Sequence, residues 1–229
     1  MIDQTDNKTN KLTCPEIDAL IKDLDAKSSI ERKIKFLLDV RGYYKVNQIK
    51  GSYVEFGSYD SKMHYAAYSI LNNTHCFGKF IGLDTFKGEP EFEDVDIDNS
   101  FESEGDFNCN LEEVSDFVSS HFGGKGCLIK GDFREKNTIN EIEAKLKHSN
   151  INLSVIDCNL LSSFHSALEI TLDKICSGGI IYLDDIFTNL SNGNPVIYDE
   201  FFKMVRNKKY KVIEHGFYAP FAKSYIIIK

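Results

Sequence analysis

The sequence predicts an α/β fold in which a mostly parallel sheet is covered by helices on both faces. Short apolar segments alternate along the chain with segments of helical periodicity. The apolar segments are continuous rather than alternating with polar residues, which is typical of strands buried on both faces. With 229 residues, 42% of them hydrophobic, the chain is long enough to form one domain with a full core.

The N-terminal half contains the first helices and strands. The pattern predicts, in order, two helices within residues 15–42 separated near residues 27–29, a strand at 52–56, a helix at 62–71 and a strand at 79–84. Asn110 and Glu113 have the spacing of a capping box, which predicts a helix that starts there and ends at Gly123 and Gly124. We expect residues 1–50 to be a helical appendage and residues 51–229 to form the main domain.

The C-terminal half continues the alternation. Its predicted elements are strands at 127–132, 152–157 and 180–185, helices at 162–176 and 196–207, and an antiparallel strand pair at 211–215 and 224–229. Thr138 and Glu141 repeat the capping-box spacing and predict a further helix. The pair Gly178 and Gly179 is expected to close the helix at 162–176.

Acidic residues are concentrated in one segment of the chain. Residues 88–124 contain twelve acids and no Lys or Arg, whereas the remaining 27 basic and 23 acidic residues give the rest of the chain a charge of +4. A protein that binds nucleic acid needs a basic contact face, so we discount that class. For the acidic segment we favour a solvated, mobile loop over a lid that contacts substrate.

The cysteines and the N-terminus indicate the cellular compartment. Six cysteines are spread along the chain without a CxxC pair, which argues against a structural zinc site and a disulfide framework. The N-terminal residues are polar, and the chain has no run of about 18 apolar residues that could span a membrane. We therefore expect a cytoplasmic protein that has no membrane contact.

Carboxylates follow the apolar segments at the points where the predicted strands end. They are Glu55, Asp84, Asp132, Asp157, Asp184 and Asp185. The carboxyl ends of parallel strands share one edge of a sheet, and ligands bind there. Because clustered like charges repel, this edge needs a cation or hydrogen-bond donors.

The first two strands carry the features of a nucleoside site. Gly57 follows the first strand and permits close backbone approach, while Asp84 ends the second strand and can accept ribose hydroxyls. A GxGxxG motif is missing, because Ser61 and Lys62 stand where further glycines are expected, and this argues against a dinucleotide. S-adenosylmethionine fits better, since its amino group and sulfonium suit Glu55 and its ribose suits Asp84.

The chain resembles the macrocin O-methyltransferase family of metal-dependent sugar O-methyltransferases. The resemblance runs from about residue 51 to the C-terminus through the segments VEFGSYDSKMHYAAYSI, FIGLDTFKGEP, IKGDFREKNTI, VIDCNLLSSFHSALE, GGIIYLDDI and NPVIYDEFF. The D-[ST]-F-x-G-x-P segment at residues 84–90 and the D-x-[DN]-L and D-D motifs are its most specific parts. The resemblance implies a Rossmann-like class I methyltransferase fold with a mostly parallel seven-stranded sheet.

The resemblance also assigns roles to residues. It implies that Glu55, Gly57 and the adjacent Ser58 hold the methionine part of S-adenosylmethionine. The other donor-binding positions that it implies, for the ribose and the adenine, are Asp84, Thr85, Phe86, Gly131, Asp132 and Phe133. It implies that Asp157, Asp184 and Asp185 bind a divalent ion, magnesium, beside the acceptor hydroxyl, which agrees with the preference of hard cations for oxygen ligands.

The general base is the point at which this chain departs from the family. The family motif carries a second acid two residues after Asp157, but this chain has Asn159, which cannot accept the proton. Three interpretations remain. His165 or another histidine acts as the base, metal activation with water suffices, or the protein binds the donor without methylating an acceptor.

The sequence therefore predicts an S-adenosylmethionine-dependent O-methyltransferase that acts on a sugar hydroxyl with the help of magnesium. The expected acceptor is a nucleotide-activated or glycosidic sugar of a surface polysaccharide or secondary metabolite. A catechol-like acceptor and a donor-binding module without turnover are the alternatives. The N-terminal helices and the acidic segment are candidate elements of a homo-oligomer interface or a lid.

Overall fold

The computed structural model describes the backbone of residues 14–96, 103–187 and 195–229, and the side chains within these ranges from residue 30 onward. Within this part of the chain, seven strands form one sheet. They are β1 (Gly51–Phe56), β2 (Phe77–Asp84), β3 (Gly126–Lys130), β4 (Ile151–Ile156), β5 (Ile175–Leu183), β6 (Lys211–Tyr218) and β7 (Ala222–Ile228). The predicted α/β fold is confirmed.

The sheet has the order β3-β2-β1-β4-β5-β7-β6. The first five strands in this order are parallel to one another, while β7 is antiparallel to both β5 and β6. Apolar residues from both faces of the sheet are fully buried, for example Val54 and Ile181 in one core cluster and Tyr53 and Ile180 in the other. This burial on both sides explains why the strands read as continuous apolar segments.

Six α-helices cover the two faces in the described residues. They are α1 (Cys14–Asn47), α2 (Lys62–Leu71), α3 (Leu111–His121), α4 (Lys136–Lys145), α5 (Leu161–Lys174) and α6 (Val196–Asn207). Side chains of α1, α2 and α3 contribute to one core cluster, and side chains of α4, α5 and α6 contribute to the other. No helix in the described ranges has the length and apolar character needed to cross a membrane.

The first helix differs from the prediction. The structure has the single helix α1 where the sequence analysis expects two helices separated near residues 27–29. The segment Lys27-Ser28-Ser29 contains neither glycine nor proline, and serine costs a helix only about 0.5 kcal/mol relative to alanine. That cost is too small to end a helix when the residues on both sides have helical periodicity.

The C-terminal part of α1 belongs to the core of the molecule. Phe36, Leu37, Val40 and Tyr44 are fully buried and share a core cluster with side chains of the central strands. The predicted boundary at residue 50 between an appendage and a domain stays a prediction, but α1 packs directly on the sheet. This packing brings the helix to the edge where the predicted site residues lie.

Two further local predictions are wrong. Thr138 does not cap a helix, because α4 begins at Lys136 and Thr138 is buried inside it, next to Gly131. The pair Gly178 and Gly179 does not end α5, because the chain enters β5 directly at Ile175 and both glycines lie within that strand. The pairing of β5 with β4 is irregular at this point, which is where a strand tolerates glycine.

Candidate active site

The register of the parallel strands brings the predicted site residues to one level. Phe56 is paired with Leu83 on one side and with Ile156 on the other, and Ile156 is paired with Leu183. The residue that follows each of these partners therefore lies at the same edge of the sheet. These residues are Gly57, Asp84, Asp157 and Asp184.

Two adjoining cavities lie at this edge. The larger has a volume of about 310 Å³ and the smaller about 150 Å³. The two share Lys33, Gly57, Tyr59 and Asp157 in their linings. Together they have the size of a small-molecule site, and they lie where ligands bind in open parallel sheets.

Glu55, Gly57 and Ser58 form the wall of the smaller cavity. Glu55 is 1% exposed and accepts a hydrogen bond from the Tyr53 hydroxyl. Burial raises the pKa of Glu55 to about 8, although Tyr53 and Lys33 oppose the shift. Gly57 has a φ of 85°, and a Cβ there would lie 2.0 Å from the Asp157 carbonyl oxygen, so the close packing of the β1 and β4 ends requires glycine.

Asp84 is oriented by the backbone around it. One carboxylate oxygen accepts a hydrogen bond from the Tyr59 amide at 2.8 Å, and the other accepts one from the Phe86 amide at 2.7 Å. Burial raises the pKa of Asp84, and these backbone donors counteract that shift. The Thr85 hydroxyl donates to the Gly88 carbonyl oxygen at 2.6 Å and shapes the turn beyond the strand. Phe86 is buried.

The end of β3 supplies the far wall of the larger cavity. Asp132 and Phe133 line it, and Phe133 packs edge-on against Phe56 with ring centroids 5.4 Å apart. Gly131 lies against α4, where a Cβ would come within 2.2 Å of the Thr138 hydroxyl. The Asp132 carboxylate is paired with Arg134, whose Nη2 lies 2.6 Å from it.

The structure brings the three carboxylates of the predicted metal site together. One oxygen from each of Asp157, Asp184 and Asp185 lies within 4.8 Å of the others. The Tyr182 hydroxyl donates to Asp184 Oδ1 at 2.8 Å, which fixes that side chain. Three convergent carboxylates without cysteine or histidine are a donor set that suits magnesium or another hard cation.

Lys33 places a positive charge in this acid cluster. Its Nζ lies 2.5 Å from Asp157 Oδ2 and 3.3 Å from Asp184 Oδ2, and its side chain is 13% exposed. Burial alone would lower the pKa of Lys33, but Asp157 and Asp184 raise it above its ordinary value. Burial also opposes ionisation of Asp184, yet Lys33 and the Tyr182 hydroxyl hold the pKa of Asp184 below its ordinary value.

The two remaining predicted residues lie in different places. Asn159 lines the larger cavity, and its Nδ2 donates to Glu89 Oε1 at 2.7 Å. His165 lies on α5, has a 51% exposed side chain and pairs with Glu200 at 2.9 Å. It does not line the larger cavity, so the structure does not bring His165 to the other site residues.

The start of the acidic segment is folded onto the site. Asp96 is fully buried and accepts hydrogen bonds from the amide of Ser162 at 2.9 Å and its hydroxyl at 2.7 Å. Arg134 donates to the Glu91 carbonyl oxygen and to the Ser162 hydroxyl. Gly88, Glu89 and Pro90 line the larger cavity, so the interpretation as a solvated loop is wrong for these residues, whereas it agrees with the exposed positions 91 and 93–95. Residues 97–102 lie outside the described part.

Comparisons with known proteins find similarity at the level of structure. No protein-family model and no curated protein sequence matches the chain. The calicheamicin methyltransferase CalS11 has 23% identity and a TM-score of 0.62, with 82% of this chain and 78% of that chain covered. The O-methyltransferase NovP has 14% identity and a TM-score of 0.65, with 86% and 80% covered.

A third similar structure was solved with bound ligands. MycE, a methyltransferase from the mycinamycin biosynthetic pathway solved with Mg and SAH, has 10% identity and a TM-score of 0.52. The match covers 83% of this chain and 48% of that chain. This chain has the class I methyltransferase fold. That fold agrees with the one implied by the sequence resemblance, and the neighbour CalS11 is described as a TDP-rhamnose 3'-O-methyltransferase.

Three residues of this site are not among the sequence-based predictions. They are Lys33, Glu89 and Arg134. Each of them contacts a residue that is distant in sequence, namely Asp157, Asn159 and Glu91, respectively. A signal for Lys33 exists in the sequence. It occupies the same helical face as the buried residues at positions 36, 37, 40 and 44, where a lysine requires an acidic partner.

Replacing Lys33 with methionine tests its role as the counter-charge. We expect Lys33→Met to lower the free energy of unfolding by about 3 kcal/mol at neutral pH, because clustered carboxylates lose their cation. Since their pKa values then rise in the folded state, the deficit should shrink as the pH falls towards 5. Magnesium should also reduce the deficit. Urea titrations at two pH values, with and without magnesium, measure these effects.

Lys35→Met is the matched control, because Lys35 lies on the same helix, is 68% exposed and pairs only with Asp39 among the described ion pairs. Its effect should stay below about 0.5 kcal/mol and be indifferent to magnesium. Equal effects of the two substitutions would contradict the assigned role of Lys33.

Proposed function

We propose that the protein is an S-adenosylmethionine-dependent O-methyltransferase that transfers a methyl group to a hydroxyl of a sugar. The observation that carries the proposal is the convergence of two sets of groups on adjoining cavities. Glu55, Gly57 and Asp84 suit a methyl donor, and the cluster of Asp157, Asp184 and Asp185 suits a divalent ion beside an acceptor. The methyltransferase fold and the descriptions of its structural neighbours support this assignment.

The donor is proposed to extend across both cavities. The smaller cavity takes the methionine part, where Glu55 pairs with the α-amino group and the Gly57 turn allows close approach. Asp84 accepts the ribose hydroxyls, and Phe133 borders the adenine in the larger cavity. Thr85 and Phe86 act through the turn that they shape after β2 rather than through charge.

The acid cluster is proposed to hold magnesium. A bound divalent cation lowers the pKa of a coordinated hydroxyl and offsets the charge of the carboxylates. Lys33 supplies that positive charge in the structure, so its ammonium has to leave Asp157 when an ion enters. The neighbour MycE was solved with Mg and SAH, which supports the same pair of ligands here.

The chain's own contribution to the reaction is mainly orientation. Methyl transfer is an in-line displacement, in which the acceptor oxygen must lie on the far side of the methyl carbon from the sulfur. The loop anchored by Asp96 and Arg134 covers the edge of the sheet and limits the access of water. A sugar acceptor is favoured because CalS11 is described as a TDP-rhamnose 3'-O-methyltransferase.

Methyl transfer itself tests the proposal. With S-adenosylmethionine, magnesium and a panel of nucleoside-diphosphate sugars, mass spectrometry should detect a product heavier by one methylene group. A chelator should remove that product, and so should Asp157→Asn. A panel of catechols tests the alternative acceptor class in parallel. Donor binding without any product would favour a binding module and overturn the enzymatic assignment.

Donor binding should depend on pH through Glu55. Because the pKa of Glu55 is about 8, its side chain is protonated and neutral at pH 6 and cannot form an ion pair with the donor's amino group. Donor affinity should therefore rise as the pH increases from 6 to 8 and then level off. Glu55→Gln should lower the affinity at pH 8 by about tenfold or more and remove the pH dependence.

Isothermal titration calorimetry with S-adenosylhomocysteine measures both effects. Glu91→Gln is the control, because Glu91 is exposed and contacts Arg134 through its backbone carbonyl oxygen. An unchanged pH dependence in Glu55→Gln would exclude Glu55 as the titrating partner of the donor.

A further inference from the structure

Asn159 and Glu89 form a polar pair inside the larger cavity. Asn159 follows Asp157 by two positions, and its Nδ2 donates to Glu89 Oε1 at 2.7 Å. Both residues line the cavity that also contains Asp157, Asp184 and Asp185. The carboxylate of Glu89 therefore lies within hydrogen-bond distance of Asn159, which has replaced the second acid of the family motif.

The backbone of Glu89 is held firmly in place. Its amide donates to the Asp106 carbonyl oxygen at 2.8 Å, and its carbonyl oxygen accepts from the Gly105 amide at 2.9 Å. The preceding Gly88 has a φ of 92°, and a Cβ there would lie 2.3 Å from the Gly105 carbonyl oxygen. The backbone at residues 88–89 packs tightly against the backbone at residues 105–106, which fixes the position of the Glu89 Cα in the cavity wall.

Four other carboxylates that line the cavity already make contacts that define their positions. Asp132 is paired with the Arg134 guanidinium, and the Lys33 ammonium contacts both Asp157 and Asp184. Asp84 accepts two backbone hydrogen bonds and lies on the donor side. Glu89 accepts its hydrogen bond from Asn159, the residue at the position where the family motif carries its second acid.

Lys33 and His165 are poor candidates for the same role. Lys33 carries its proton, because Asp157 and Asp184 raise its pKa above the ordinary value. His165 is largely exposed, pairs with Glu200 and does not line the cavity. Glu89 is therefore the cavity group best placed to receive a proton from an acceptor bound beside the acid cluster.

We propose that Glu89 is the general base of the methyl transfer and that Asn159 positions it. The inference rests on the proposed methyltransferase function. The acceptor hydroxyl gives its proton to Glu89 while its oxygen forms a bond to the methyl carbon. The bond from that carbon to sulfur breaks, and its electron pair stays on sulfur, which becomes the neutral thioether of S-adenosylhomocysteine. Glu89 then releases the proton to water.

A reciprocal exchange of the two side chains tests the assignment. Glu89→Gln removes the carboxylate at almost constant shape, and kcat should fall by about a hundredfold or more while KM and the donor Kd change less than twofold. In the double variant Glu89→Gln with Asn159→Asp, the carboxylate is at position 159 and the amide is at position 89, so the pair keeps its hydrogen bond with the two groups exchanged. This variant should regain at least about tenfold in kcat over the single variant.

Glu91→Gln serves as the control, because it removes an exposed acid from the same loop and should keep the kcat of the unsubstituted protein. Full kcat in Glu89→Gln, a loss of donor binding in that variant, or no recovery in the exchanged pair would each overturn the role of Glu89. Such results leave the methyltransferase assignment intact. If the unsubstituted protein binds the donor but methylates no acceptor, the proposed function fails, and the inference about Glu89 fails with it.

Discussion

The site depends on compensation of negative charge at one edge of the sheet. The register of β1, β2, β4 and β5 forces Asp84, Asp157 and Asp184 to leave the sheet at the same level, and Asp185 follows directly. Carboxylates gathered at a largely buried edge repel one another and lose hydration, so the arrangement is stable only with a cation among them. In the structure Lys33 provides that cation. A divalent ion is the proposed alternative partner during catalysis.

This compensation gives α1 a role in the site as well as in the core. Its buried residues Phe36, Leu37, Val40 and Tyr44 fix the helix on the sheet, and Lys33 lies on the same face one turn earlier. The position of the ammonium is therefore set by apolar packing, while its energetic value comes from the acids that it meets. Under the proposed function, Lys33 keeps the acid cluster folded before an ion binds, and only an ion that binds strongly enough to displace the lysine enters.

The sequence predicts the parts of the site that depend on strand order, and it misses the parts that depend on long-range contacts. Continuous apolar segments indicate parallel strands, and acids at their ends then must share an edge, which explains the successful placement of Asp84, Asp157 and Asp184. Lys33 and Glu89 escape the same reasoning because they contact residues 124 and 70 positions away, respectively. The glycine pair at 178–179 misleads because local rules favour a helix end, whereas pairing with β4 extends the strand across it. Local propensity gives way to tertiary pairing in that case.

The loop after β2 completes the site with groups that the strand ends do not offer. Its backbone contacts at Gly105 and Asp106 hold Glu89 against Asn159, and Asp96 fastens the loop to the start of α5.

The central claim, that lysine and a divalent ion alternate at the acid cluster, is tested most directly by a crystal structure with manganese and S-adenosylhomocysteine. The account predicts an anomalous manganese peak bound by Asp157, Asp184 and Asp185, with Lys33 moved away from Asp157. Lys33 still paired with Asp157, and no peak at the cluster, would contradict it.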